Sequence, residues 1–223
     1  MTLKEKDFIE IEFTGRIKEG EEIFDSNIKN ELQKLNPNAE AKPFIFSLGE
    51  DMFLKGVDEY LIGKNLGKYK IELIPEKAFG KRNSQLIQRM SIKIFHEQKI
   101  NPVQGYSFNF DGRFGRIIAV SGGRVLVDFN NPLAGKEVIY EINVLRKIEN
   151  IDEKIKALND FFFRRDFEFE IENKKLKLIV NKGFEKFVEL FKDKYQELVG
   201  LTLETKIKEE PASNLKNKGE KSK

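Results

Sequence analysis

The chain has 223 residues, of which 40 are Lys or Arg and 37 are Asp or Glu, so its net charge is only +3. A surface this evenly balanced does not by itself indicate binding to nucleic acid or to an anionic membrane. The absence of cysteine excludes disulfides, thiolate nucleophiles and cysteine metal sites, and no apolar run is long enough for a membrane span. We therefore expect a cytoplasmic protein of more than one domain.

The first part of the chain predicts a small antiparallel sheet around one helix. Apolar and charged residues alternate over residues 8–13, the period of a half-buried strand, and we expect Thr14-Gly15 to end it. The next strand should return beside the first and form a hairpin. Residues 27–42 show little apolar periodicity and predict a loop or a short helix. The other elements predicted here are strands at 22–26, 43–49 and 68–74 and an amphipathic helix between residues 51 and 62.

The composition changes at about residue 84. Strand-like runs are joined by Asp111-Gly112 and Ser121-Gly122-Gly123, which are hairpin signals, so residues 84–128 predict a small antiparallel sheet. Between residues 82 and 127 there are seven basic and two acidic residues. Basic residues among aromatic ones suit either an unfolded polypeptide or single-stranded nucleic acid. The strands predicted in this insert span 106–110, 116–120 and 124–129.

A strand predicted at 138–148 precedes a second change of pattern. From Ile151 the apolar residues recur at helical spacing, which predicts a C-terminal α+β domain over 151–208, followed by a disordered tail at 209–223. Phe161-Phe162-Phe163 exceeds what one face of a helix buries, so a homodimer through this domain is a hypothesis. The elements predicted within it are strands at 166–172, 175–180 and 201–207 and one helix at 184–199.

Six short motifs follow one another in a specific order. They are Phe13-Thr14-Gly15, Phe24-Asp25-Ser26, Leu48-Gly49, Lys55-Gly56-Val57, Ala78-Phe79-Gly80 and Asn130-Asn131-Pro132-Leu133-Ala134-Gly135. In this order they resemble the FKBP-type peptidyl-prolyl cis/trans isomerases. The sixth resembles the point at which SlyD-like members re-enter the barrel after an inserted flap domain, with Asn131 in place of the usual histidine. The C-terminal unit resembles the extra domain of long-chain archaeal members.

The resemblance implies an α+β fold in three parts. Residues 1–83 and 129–150 would form an antiparallel FKBP half-barrel sheet around one short helix. Residues 84–128 would form an inserted antiparallel β flap domain, and residues 151–208 the C-terminal domain.

The resemblance also implies a proline pocket. Asp25 is the one carboxylate expected to face it, and the backbone N–H of Leu54 would hold the substrate carbonyl. Phe46, on the strand that carries Phe44, is expected to face the other way, into the core. The remaining pocket residues are Phe13, Phe24, Phe44 and Tyr140 as walls, Val57 as the floor, Phe79 at the rim and Phe53 at the edge.

Such a pocket would act without a nucleophile. The planar imide is more polar than the twisted one, so it loses the support of water on entering an apolar cup. Three positions depart from the family, because tyrosine is common at Phe13 and at Phe79 and an aromatic residue often stands at Val57. The missing rim hydroxyl removes a hydrogen bond of about 0.5–1.5 kcal/mol, which predicts a lower but not abolished activity.

Three functions remain open on the sequence. The first is an isomerase and chaperone acting on unfolded polypeptides with X-Pro bonds, the second a holdase with a decayed isomerase site, and the third an RNA- or ribosome-binding adaptor. The resemblance favours polypeptide over nucleic acid, although about half of the insert's aromatic residues are expected to form its own core. No cofactor or metal is predicted, since His96 has no partner at metal spacing. The flap residues expected to bind polypeptide are Tyr106, Phe108, Phe110 and Phe114.

Overall fold

The computed structural model describes residues 2–110 and 112–208, so the predicted tail at 209–223 and the turn residue Asp111 lie outside the described residues. The strands are β1 (Phe8–Ile17), β2 (Ile23–Ser26), β3 (Phe44–Ser47), β4 (Gly67–Leu73), β5 (Ile87–Ser91), β6 (Ser107–Phe110), β7 (Arg113–Ser121), β8 (Arg124–Asp128), β9 (Val138–Lys147), β10 (Phe169–Glu172), β11 (Lys175–Val180) and β12 (Thr202–Ile207). The helices are α1 (Lys29–Leu35), α2 (Lys55–Leu61), α3 (Ile92–Glu97), α4 (Ile151–Phe163), α5 (Glu185–Glu189) and α6 (Lys192–Val199).

The first sheet is antiparallel and centred on β1. One edge of β1 pairs with β9 from Ile9 to Ile17, and its other edge pairs with β3 and then with β2. β4 pairs with the far edge of β9. α2 lies close to this sheet, because a Cβ placed on Gly56 would come within 2.5 Å of Leu73 Cδ2. This arrangement is the predicted sheet around one short helix, and the α+β fold class is confirmed.

The expected end of the first strand at Thr14-Gly15 is wrong, since β1 continues to Ile17. Gly15 serves a different purpose inside the strand. A Cβ at this position would lie 2.8 Å from Phe24 Cζ and 3.0 Å from Tyr140 Cζ, closer than van der Waals contact allows. Glycine within a strand commonly marks such a close approach, and here it makes room for two rings.

The insert forms its own four-stranded antiparallel sheet, in the order β5-β8-β7-β6. β6 and β7 form the hairpin predicted at Asp111-Gly112, with Phe110 opposite Arg113. The sequence prediction lacked α3, a six-residue helix whose first turn is capped by the Ser91 hydroxyl accepting from the Lys93 N–H at 3.3 Å. Its Phe95 is buried and fills the core of the insert.

The C-terminal domain has the sheet order β10-β11-β12, with β11 and β12 parallel. The single helix predicted at 184–199 is wrong: the chain forms α5 and α6, separated at Leu190 and Phe191. This break lets the Phe191 ring pack 4.5 Å from the Phe162 ring, between centroids. The strand predicted from residue 166 begins only at Phe169.

The first sheet and the C-terminal domain share one hydrophobic core, whereas the insert has a separate one. Phe8, Ile148, Ile155 and Leu158 are all buried in this shared core. Across residues 2–110 and 112–208, no helix combines the length and apolarity needed to cross a membrane.

Candidate active site

Six of the aromatic residues predicted for the pocket lie together on the first sheet and its loops. Phe13 comes from β1, Phe24 from β2, Phe44 from β3 and Tyr140 from β9, while Phe53 and Phe79 lie on loops. Each ring contacts at least one other, with centroids 5.1–5.9 Å apart. These rings are called the aromatic cluster below.

Phe53 lies at the centre of the aromatic cluster, where the sequence placed it at the edge. Its centroid is 5.1 Å from those of Phe13 and Phe44, 5.6 Å from that of Phe46 and 5.4 Å from that of Tyr140. Phe53 therefore joins rings carried by three different strands.

The expectation that Phe44 and Phe46 face opposite ways is wrong. Residues two apart in a strand share a face, and the two ring centroids are 5.4 Å apart. Depth distinguishes them instead, because Phe46 is buried and Phe44 is half-buried, although both line the same open cavity.

Asp25 is half-buried at the end of β2 and lines the same cavity. Burial raises the pKa of its carboxyl above the ordinary value, although a hydrogen bond from the Ser26 backbone opposes this. The effect extends to Tyr140, whose phenol has a raised pKa because it is buried and because Asp25 carries negative charge nearby. A carboxylate among apolar rings interacts strongly with any dipole that enters, since water screens it poorly.

Ser26 and Asn27, which the sequence analysis did not assign a role, hold this corner in place. The Ser26 hydroxyl donates to the Phe13 carbonyl oxygen at 2.8 Å, and Asn27 Oδ1 accepts from the Phe13 N–H at 2.7 Å. Asn27 Nδ2 donates to the Ile11 carbonyl oxygen at 2.8 Å. These bonds tie the residues after Asp25 to β1, and the polar pair that follows Phe24-Asp25 was the signal available in the sequence.

Leu54 and Val57 lie at the N-terminal end of α2. Leu54 precedes the helix, and its carbonyl oxygen accepts from the Val57 N–H at 2.8 Å. Within the described residues the Leu54 N–H donates to no other group. The side chain of Val57 is fully buried in the core.

A cavity of about 420 Å³ opens beside the aromatic cluster. Phe13, Asp25, Phe44 and Phe53 line one side of it. The other predicted residues (Phe24, Leu54, Val57, Phe79 and Tyr140) are not among its lining residues. The Tyr140 ring packs on Phe53, and the Phe24 ring packs against Tyr140 and Phe79. Helix α4 of the C-terminal domain lines the opposite side, which the sequence analysis did not foresee.

In the insert, the four residues expected to bind polypeptide fall into two pairs. Tyr106 and Phe114 are exposed, by 61% and 73% of their surfaces. Phe108 and Phe110 instead pack against Phe95, with ring centroids 6.4 and 5.5 Å away.

Comparison with known proteins places this architecture in a family. The model of FKBP-type peptidyl-prolyl cis-trans isomerases matches residues 1–96, and the model of the FKBP26 IF domain matches residues 85–133. The short-type peptidyl-prolyl cis-trans isomerase of Methanocaldococcus jannaschii is 31% identical over 147 residues, which cover 64% of this chain and 92% of that protein.

Two bacterial relatives show the same likeness over shorter stretches. The FKBP-type 16 kDa peptidyl-prolyl cis-trans isomerase of Escherichia coli is 36% identical over 110 residues, 47% of this chain and 73% of its own length. The FKBP-type isomerase SlyD of Pasteurella multocida is 30% identical over 120 residues, 51% of this chain and 59% of its own length. The chain belongs to the FKBP-type peptidyl-prolyl cis-trans isomerase family, and the enzyme class predicted from the sequence motifs is confirmed.

Proposed function

We propose that this protein isomerises X-Pro bonds in unfolded or partly folded polypeptides of the cytoplasm by a non-covalent mechanism, and that it also acts as a folding chaperone. The observation that supports the mechanism is the aromatic cluster with the half-buried Asp25 carboxylate at its margin. We propose a division of the chain into three domains. Residues 1–83 and 129–150 form the isomerase domain, residues 84–128 the chaperone flap and residues 151–208 the C-terminal domain.

The catalytic step follows from the surroundings of the imide. Rotation about the peptide bond is opposed by a barrier of about 18–20 kcal/mol, which resonance between nitrogen and carbonyl creates. A prolyl ring beside Phe13 and Phe53 leaves water, and the planar, more polar imide loses more solvation than the twisted one. The free N–H of Leu54 donates a hydrogen bond to the substrate carbonyl. The Asp25 charge interacts with the imide dipole as the bond twists.

A protease-coupled assay on a short X-Pro peptide tests this activity. We expect the wild-type chain to accelerate isomerisation and Phe24→Ala and Asp25→Ala to lose most of the acceleration. A wild-type chain that prevents aggregation of an unfolded protein but leaves the isomerisation rate unchanged would instead support a holdase with a decayed site.

The chaperone part of the proposal rests on Tyr106 and Phe114. Large exposed aromatic side chains on the molecule that carries an enzyme site raise the local concentration of unfolded chains there. Two of the basic residues are engaged within the insert or with its neighbours, since Arg82 pairs with Asp128 and Arg113 lies over the Phe129 ring at 4.7 Å. These contacts engage two of the seven basic residues between 82 and 127, and the preference for polypeptide over nucleic acid as the partner of the insert rests on the family to which the chain belongs.

Deletion of residues 84–128 should preserve isomerisation of short peptides and sharply reduce activity on a refolding protein. A finer comparison uses point variants. Phe114→Ser should lower only the activity on the refolding protein, whereas Phe108→Ala should loosen the core of the insert and lower its thermal stability. Equal retention of both activities by the deletion variant contradicts the chaperone role.

We further propose a homodimer through the C-terminal domain. The Phe161-Phe162-Phe163 cluster packs largely within its own domain, for example with Phe163 against Phe167 at 5.5 Å. The exposed apolar residues of this domain include Phe187 and Leu190, which are 43% and 76% exposed and close together in the chain. Light scattering at micromolar concentration should give a dimer mass for the wild-type chain and a monomer mass for Leu190→Glu; a wild-type monomer removes the proposal.

A further inference from the structure

The cavity beside the aromatic cluster is bounded by two domains. Opposite Phe13 and Phe53, its wall consists of residues spaced along α4 and at its C-terminal end, which are Ala157, Asp160, Phe161 and Arg164. We infer that α4 forms the second half of the substrate site and determines how the residues next to the proline are bound. This inference rests on the proposed isomerase function.

The cavity continues along α4. A second cavity of about 400 Å³ is lined by the segment Lys42 to Ile45 on one side and by α4 residues on the other. Ala157 and Asp160 line both cavities, as do Pro43 and Phe44. Together they form one groove, called the α4 groove below, that leads away from the proline pocket.

The wall that α4 provides is fixed to the isomerase sheet. Ile155 and Leu158 are fully buried in the core that both domains share. Arg146 on β9 donates to Glu153 at 2.5 Å, and Lys154 lies 5.7 Å from the centroid of the Phe8 ring. The N-cap residue Asn150 accepts from the amides of Asp152 and Glu153 through its side-chain oxygen. The groove is therefore preformed, and binding along it requires no closure of the helix.

On the side opposite α4, the groove is bordered by an edge of the first sheet. β3 pairs with β1 only, within the described residues. The Leu48 N–H donates to the Asp7 carbonyl oxygen at 3.0 Å, and hydrogen-bonding direction alternates along a strand. The backbone of Phe46 thus points towards β1 and that of Ile45 towards the groove. An unpaired strand edge is suited to an extended polypeptide.

The side chains of α4 determine which side chains of the bound polypeptide fit the α4 groove. Ala157 leaves the width of the groove open, and the half-buried Phe161 ring offers an apolar surface next to the proline pocket. Asp160 and Arg164 are exposed one turn apart and form no ion pair within residues 2–110 and 112–208. The occupant we assign is therefore the substrate chain itself, extended, with an apolar residue beside Phe161 and polar residues beside Asp160 and Arg164.

Two peptides and two variants test this inference. One peptide is a tetrapeptide with an X-Pro bond, and the other is the same sequence lengthened by four residues at each end. Ala157→Leu, which narrows the groove, should lower the ratio of kcat/KM for the long peptide to that for the short one at least tenfold, mainly through KM. Ala157→Ser keeps the width and should leave this ratio within twofold of wild type.

Phe161→Ala provides a second variant, which removes apolar surface without adding volume and should lower the same ratio at least threefold. Melting temperatures within a few degrees of wild type show that the variants are folded. An unchanged ratio in both Ala157→Leu and Phe161→Ala overturns the inference. A wild-type chain inactive on both peptides contradicts the proposed isomerase function instead, so the two failures are distinct.

Discussion

The Phe53 ring stands edge-on to the Tyr140 ring, with centroids 5.4 Å apart and planes at 87°. Such an arrangement directs the positive edge of one ring at the negative face of the other and contributes about 0.5–1.5 kcal/mol beyond the burial of area. Phe53 lies on the loop before α2, whereas Tyr140 belongs to the sheet. This pair therefore connects the loop that carries the free Leu54 amide to the wall of the pocket.

Phe53→Ala should reduce both stability and activity. Loss of a half-buried ring that contacts four others should cost about 2 kcal/mol of unfolding free energy. Because the loop then loses its anchor, kcat/KM for a short X-Pro peptide should fall at least about tenfold. Denaturant unfolding and the protease-coupled assay measure the two effects. Phe53→Leu should keep most of the stability, and a rise in kcat/KM in either variant would mean that the ring blocks the pocket.

The charge of Asp25 should appear in the pH dependence of catalysis. Burial raises its pKa above the ordinary value, so the carboxylate is lost on acidification earlier than an exposed aspartate would be. If the charged form acts on the imide, kcat/KM falls on acidification, and this decline begins at a higher pH than an exposed aspartate would give. Asp25→Asn should be slower at every pH and should lack this decline. A decline of equal size in Asp25→Asn would assign it to another group.

The strands of the first sheet could be predicted because apolar and charged residues alternate along them. The site was found through its motifs, which placed Phe13, Phe24 and Asp25 together without any view of the fold. One feature was beyond this approach. The pairing of α4 with the pocket depends on how two domains pack, and no local periodicity encodes that. The facing of Phe44 and Phe46 was available from the strand period, and the expectation there was simply wrong.

Other errors have local physical causes. We predicted a strand end at Gly15 because glycine often ends strands. Gly15 instead lies within β1 and leaves room for the rings of Phe24 and Tyr140, which come from other parts of the sequence. The break between α5 and α6 lies in a run of apolar residues at helical spacing, so the sequence pattern predicts one continuous helix. The packing of Phe191 on Phe162, which accompanies the break, depends on residues distant in sequence.

Asp58 gives a prediction about stability and pH. Its side chain is 4% exposed, and burial, with smaller contributions from Asp51 and Glu50, raises its pKa to about 7. Neither oxygen makes a hydrogen bond of ordinary geometry within the described residues, although the amides of Gly49 and Asp51 lie close enough to oppose the rise. Because the folded pKa exceeds the unfolded one, this group favours folding at low pH, and its contribution is lost as the pH rises through about 4 to 7.

Asp58→Asn should therefore be more stable than the wild-type chain at about pH 8, by on the order of 1–4 kcal/mol, and this advantage should vanish near pH 4. Urea unfolding of both chains across this range measures the difference, and subtraction cancels the other titrating groups. A stability difference that is independent of pH would show that the carboxyl of Asp58 titrates normally in the folded chain.

Gly15→Ala tests whether the rings of Phe24 and Tyr140 must approach the backbone of β1. The added methyl group would meet both rings at about 3 Å, within a strand that tolerates alanine in its backbone. Since overpacking typically costs about 1–3 kcal/mol, the variant should be destabilised by this amount. Displacement of both rings should also lower kcat/KM on a short X-Pro peptide. Gly20→Ala is a control without steric contact, because nothing lies within 4 Å of its Cβ position. The positive φ of 85° at Gly20 strains the backbone of an alanine there. Stability of this control should therefore fall while its kcat/KM stays at the wild-type value. Equal kcat/KM values for Gly15→Ala and wild type would show that the cluster can relax around the methyl group.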